Sequence, residues 1–146
     1  MVMAIESDSI GLLKTAEMVA RGTAAFSESQ QVVLAEALVD HLLYGTDVSA
    51  ALGLKTLGIS PRQRVLMEHR DNALGVLFEF IKSQNPEWTV SEQLDLLVQV
   101  VKRRERSSRP PETEQERLAD ELHTACRALG RGISKRRAWE LVSEVA

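Results

Sequence analysis

Four times in this sequence a serine or threonine is followed three residues on by glutamine or glutamate, and then by apolar residues spaced three and four apart: Ser27 with Gln30, Ser60 with Gln63, Thr89 with Glu92, and Thr113 with Glu116. The spacing is that of a capping box. The hydroxyl accepts from the third backbone N–H, and the longer side chain reaches back to the cap's own N–H. Only a helix leaves those donors unpaired, so the pattern serves no purpose at the head of a strand. The apolar residues behind each box recur with a period near 3.6 rather than 2. A chain punctuated in this way folds as an all-α protein.

Read along its length, the sequence predicts seven helices. The first starts near Ser7 or Asp8, turns Leu12, Leu13, Ala16 and Val19 to one side and stops at Gly22. The second follows Ser27, faces inward through Val33, Leu34, Ala37 and Leu38, and ends at Gly45. The third spans Thr46 to Gly58, with Gly53 inside it at a cost of about 1 kcal/mol. Ser60 caps the fourth, Pro61 takes the first helical position, and Leu66, Ala73, Leu77, Phe80 and Ile81 form its stripe before Asn85-Pro86. The fifth reads Val90, Leu94, Leu97, Val98 and Val101; the sixth Leu118, Leu122, Ala125 and Leu129; the seventh, after Ser134, Ala138, Leu141, Val142 and Val145. The expected architecture is a compact bundle of six to seven amphipathic helices with helix-turn-helix-like junctions. Arg106-Ser107-Ser108-Arg109-Pro110-Pro111 is the one composition shift that reads as a linker, giving a domain over 1–106, a linker over 107–112 and a basic helical hairpin over 113–146. Aromatic residues make up only 4%, so leucine, valine and alanine must fill the core.

One phrase is written twice: Gly58-Ile59-Ser60-Pro61-Arg62-Gln63-Arg64 and Gly132-Ile133-Ser134-Lys135-Arg136-Arg137. In each, a glycine is expected to end one helix and a serine to cap the next, with cations in the new first turn. Cations are unfavourable there by roughly 0.3–1 kcal/mol each, because the helix dipole and the free N–H groups favour anions. A nucleic-acid phosphate would reverse that preference, since N–H groups and guanidinium together bind it. Arg62, Gln63 and Arg64, and Lys135, Arg136 and Arg137, are therefore candidate nucleic-acid-binding residues. Leu57-Gly58-Ile59-Ser60 also suits the turn of a helix-turn-helix, although Gly53 and Leu54 stand where a small packed residue is expected and Arg131-Gly132 lengthens the second copy.

Charge adds a third cluster. The net charge is −3, but residues 1–100 carry seven Lys/Arg against thirteen Asp/Glu, and residues 101–146 carry eleven against eight. Lys102, Arg103, Arg104 and Arg106 crowd the end of the fifth helix and join the phosphate candidates. The alternative for them is a solvated helix end with cations where the dipole favours them. Glu28, Glu36, Asp40 and Asp47 would repel phosphates, so the N-terminal half is expected to meet protein, either a second copy or another subunit.

No residue pattern points to catalysis, a cofactor or a metal. His41, His69 and His123 fall on three different helices without a second ligand at a metal-binding spacing, and no phosphate-cradling or dinucleotide-binding glycine motif is present. The single cysteine, Cys126, shares a helical side with Leu122 and Leu129, which reads as a buried structural thiol. Trp88 is expected to pack over the start of the fifth helix. Trp139, beside the basic trio, is expected either to fill a hinge in the core or to stack on a base. One cysteine, no signal-peptide pattern and no apolar run of membrane-spanning length together suggest a reducing cytoplasm.

These features point to a non-enzymatic, nucleic-acid-associated helical protein, in the leading version a dimeric helix-turn-helix regulator. A second version is a subunit of a nucleoprotein assembly that tracks the phosphate backbone; in size and helicity alone the chain is similar to the small subunits of CRISPR effector complexes. A third is a protein-binding adaptor or inhibitor that uses an exposed apolar helix stripe and no cations.

Overall fold

A computed structural model of the chain describes residues 2–55 and 58–145, with side chains running from Ser9 to Ser143 around that gap. It contains α1 (Val2–Ala20), α2 (Glu28–Tyr44), α3 (Val48–Ala51), α4 (Pro61–Gln84), α5 (Val90–Glu105), α6 (Glu114–Leu129) and α7 (Lys135–Val145). Among the described residues there is no strand. The all-α class is therefore as the capping pattern dictates.

The chain divides between Val65 and Leu66 into two compact units. The two units do not part at the expected 107–112 segment, on either side of which α5 and α6 bury their leucines in one core.

In the first unit, the capping box of α2 forms as the sequence requires. Ser27 Oγ accepts from the Gln30 N–H at 3.2 Å, and Ser27 N–H donates to Gln30 Oε1 at 2.9 Å. Gln30 then reaches α1, donating from Nε2 to Thr15 Oγ1 at 3.0 Å. The buried Ser9 of α1 donates to the Leu52 carbonyl at 2.9 Å, which ties the end of α3 to α1. A cavity of about 530 Å³ lined by Leu12, Gln30, Val33 and Leu52 lies among these three helices.

Two boundaries differ from expectation. α1 extends back to Val2, through Ser7 and Asp8, because nothing in that stretch breaks a helix. The third helix is one turn, Val48–Ala51, where a run from Thr46 to Gly58 was expected. Asp47, not Thr46, caps it, accepting from the Ala50 N–H at 3.1 Å. Lys55 Nζ sits 2.7 Å from the same carboxyl and holds its pKa below the usual range. Gly53 terminates this helix instead of merely weakening it: its φ of 71° lets Leu54 N–H close back on the Ser49 carbonyl at 2.8 Å.

In the second unit, α4 to α7 enclose Leu74, Leu77, Ile81, Leu94, Leu97, Val101 and Leu122. α4 faces inward through Leu74, Leu77, Phe78 and Ile81, while Leu66, Ala73 and Phe80 are only half-buried. Val90 at the start of α5 is exposed; Leu94, Leu97 and Val101 are buried as expected. Leu118, Leu122 and Ala125 of α6 are buried with Ala119, and Ala138 and Leu141 of α7 close the core. Leu57 and the side chain of Val145 lie outside the described residues. The buried Gln93 donates from Nε2 to the carbonyls of Asn85 (3.0 Å) and Trp88 (3.3 Å), so one side chain fixes the α4–α5 connection.

Candidate functional site

The two copies of the repeated phrase part company in three dimensions. In the first, Gly58 is left-handed with φ 85°, but it ends no helix, and Ile59 is 52% exposed. In the second, Gly130, with φ 71°, ends α6 in place of Gly132, and Ile133 is 6% exposed in the core. Both serines cap as expected: Ser60 Oγ accepts from Gln63 N–H and Ser134 Oγ from Arg137 N–H, each at 3.2 Å. Residues 52–60 separate α3 from α4, and a one-turn helix stands before that gap. A helix-turn-helix needs a full bracing helix and a turn of roughly 3–4 residues, so the first junction lacks its geometry. The second spaces its helices by residues 130–134, one longer than that turn.

The cations sort into committed and open groups. Gln63 is the reciprocal half of a capping box, accepting from Ser60 N–H at 3.1 Å, and is thereby occupied. Arg62 and Arg64 beside it are exposed. Lys135 binds back to α5, at 2.7 Å from Ser91 Oγ and 3.0 Å from Asp95 Oδ1. Arg137 lies 3.2 Å and Arg136 3.5 Å from Glu140, although Arg136 remains 92% exposed. One carboxylate thus neutralises part of the charge crowded at the α7 start, which supplies internally the anion that a phosphate was invoked to provide.

Arg104 is removed from the candidates outright. Its side chain is only 5% exposed. Nε and Nη2 donate to the two Asp120 oxygens at 2.7 and 3.1 Å, Nη1 donates to Glu116 at 2.9 Å, and Nη2 also donates to the Arg109 carbonyl at 2.7 Å. The Asp120 hydrogen bond raises its pKa further still. The guanidinium fork welds α5 to α6 and pins the connection between them, the segment that its composition marked as a linker. Glu116 Oε2 accepts from Arg104 and Arg109 (3.0 Å) while its Oε1 accepts from the Thr113 hydroxyl at 3.3 Å rather than from the Thr113 N–H, and the Thr113 box is left one-sided. By contrast, Lys102, Arg103 and Arg106 are exposed, with no side-chain hydrogen bond or ion pair among the described residues.

The histidines stay apart. His41 Nδ1 is 2.9 Å from the Thr46 carbonyl, His123 Nδ1 is 3.5 Å from Glu105 Oε1, and His69 is half-buried on α4. Among the described residues no group of three or more His, Cys, Asp and Glu is placed to hold a metal. Cys126 is buried, and burial pushes its thiol pKa up. Trp88 and Trp139 are both exposed, so neither is core filling.

What the cation-centred reading left unused is α2. Its 17 residues contain no lysine or arginine, and apolar side chains occur all round the axis. Ala37 is 4% exposed, with Leu34 half-buried beside it. The opposite side carries Val32, Ala35, Val39 and Leu42, flanked by Leu38 and Leu43, all in solvent, and Leu42 is 79% exposed. Val33 and Leu38, expected inward, are exposed as well. The sequence held the clue: ten apolar residues in one helix are more than one buried face needs.

No known protein family matches this chain, and neither a curated protein nor a solved structure is significantly similar to it. Among the described residues no helix is long and apolar enough to cross a membrane.

Proposed function

We propose that this chain is a non-enzymatic protein-docking module, a subunit or adaptor that works through the outward face of α2. The observation that carries the reading is a helix apolar on both sides with only one side covered. Helices that are hydrophobic all round belong in protein interiors, and a contiguous exposed stripe of this kind marks an interaction surface. Replacing Val32 and Leu42 together with lysine should leave folding stability within about 0.5 kcal/mol of the parent, because both side chains already stand in water. Chemical unfolding at a dilution where the chain is single measures this. A loss of more than about 2 kcal/mol would place these residues in the chain's own core and end the reading.

Contact with a nucleic-acid backbone is a second reading, favoured by Lys102, Arg103 and Arg106, whose charges have no internal partner among the described residues. The supporting set is smaller than the ten residues the sequence offered, and α5 ends where its dipole favours cations anyway. Salt separates the two readings. Phosphate contacts weaken steeply as salt is added, whereas apolar docking by an acidic helix does not.

A further inference from the structure

We infer that α1–α3 form a conformational device, a segment that opens and recloses as one cooperative unit while the second unit keeps its fold; this stands apart from the docking reading above. The two units differ in what holds them together. The large side chains with almost no exposed surface, Leu74, Leu77 and Leu97 among them, belong to the second unit. Among the described side chains of α1–α3, the buried apolar ones are Leu12 and Ala37. Helices in proteins draw most of their stability from packing an apolar face, and α1–α3 have little of it.

What these three helices have instead is local. The Ser27–Gln30 box heads α2, Gly45 closes its end by donating to the His41 carbonyl at 3.0 Å, and Asp47 caps α3. Such bonds keep each stretch helical and join no helix to another. Between helices run the hydrogen bonds of Ser9 to the Leu52 carbonyl and of Gln30 to Thr15. Their net contribution is modest, because water competes for both partners once the helices part. Where a core would lie there is the cavity of about 530 Å³. Gly11 lines it from the interior of α1, and a Cβ there would meet nothing within 4 Å, so the position is both open and weakening.

The same arrangement makes the opening cooperative. Leu12 of α1, Gln30 of α2 and Leu52 at the end of α3 line that one cavity, so release of any one helix uncovers the few groups the other two shield. The core of the second unit is built from α4–α7 and Ile133, and it persists. Regions with few buried apolar contacts open at free energies well below that of the whole chain.

Amide hydrogen exchange of the full chain at rising sub-denaturing urea tests the inference. The amides of α1 and α2 should share one level of protection, at least about a hundredfold below that of α5 and α6, with a weaker urea dependence. Gly11→Ala, which meets no clash, should slow exchange roughly fivefold across both α1 and α2 and leave α5 unchanged. Leu12→Ala should quicken it in both and again spare α5. A common protection level and urea slope for α2 and α5, an α1 substitution whose effect reaches α5, or one whose effect stays within α1 would each overturn the inference, as would α1 and α2 with no protection at all. None of these outcomes alters the exposure of Leu42, so the docking reading stands or falls on its own lysine-substituted chain.

Discussion

Leu97→Ala is expected to destabilise the second unit by about 2–5 kcal/mol, whereas the same truncation at Leu42 should cost almost nothing. Leu97 has no exposed surface, and Leu42 is 79% exposed. Deleting the buried side chain loses its transfer free energy and leaves a void that α4, α5 and α6 close only in part, since interiors are packed as tightly as organic crystals. Deleting the exposed one removes apolar surface from water. Urea unfolding of the two variants and the parent checks the contrast, with a midpoint shift expected for Leu97→Ala alone. Equal losses would mean that α2 is packed on both sides.

Arg104→Ala is expected to lower the unfolding temperature by roughly 5 °C or more, while Arg103→Ala, one residue away, should shift it by less than about 1 °C. The asymmetry comes from what each side chain leaves behind. Removing Arg104 strips Asp120 of its counter-charge, leaves Glu116 with Arg109 alone and takes the donor from the Arg109 carbonyl, all at the α5–α6 junction. Arg104→Lys should recover only part of the loss, because a single ammonium cannot span two carboxylates and a carbonyl as the planar fork does. Amide exchange across 106–113 should quicken in Arg104→Ala, since the segment is held by that fork. Similar behaviour of the Arg103 and Arg104 variants would show the network to be dispensable.

Arg104 also shows how far the sequence could be read. It follows Leu94, Leu97 and Val101 at the same three-four-three spacing, so helical phase already placed it on the buried face. Its membership of a run of cations masks that placement, because a block of charge carries no information about position round the helix. The caps were legible because each is a local bargain within four residues: Ser27, Ser60 and Thr89 formed their boxes as written. Gly53 and Gly58 were not, for either could end α3 and only the competing turn bonds decide. Ile59 and Ile133 sit in near-identical phrases, yet one is exposed and the other buried, because a preceding helix long enough to present a core exists only before the second. In α2 both faces are apolar, so periodicity could not say which one the neighbouring helices would take.

The most direct test of α2 as a docking helix is thiol labelling of the folded, dilute chain carrying Leu42→Cys or Ala37→Cys. The native Cys126 is buried with its thiol pKa raised, and so contributes little background. Leu42→Cys should label at nearly the rate of an unfolded control, and Ala37→Cys, on the 4%-exposed side, at least about a hundredfold more slowly, since labelling there waits for local opening. Protection of Leu42→Cys equal to that of Ala37→Cys would contradict the account, because the outward face of α2 would then already be covered by the chain itself.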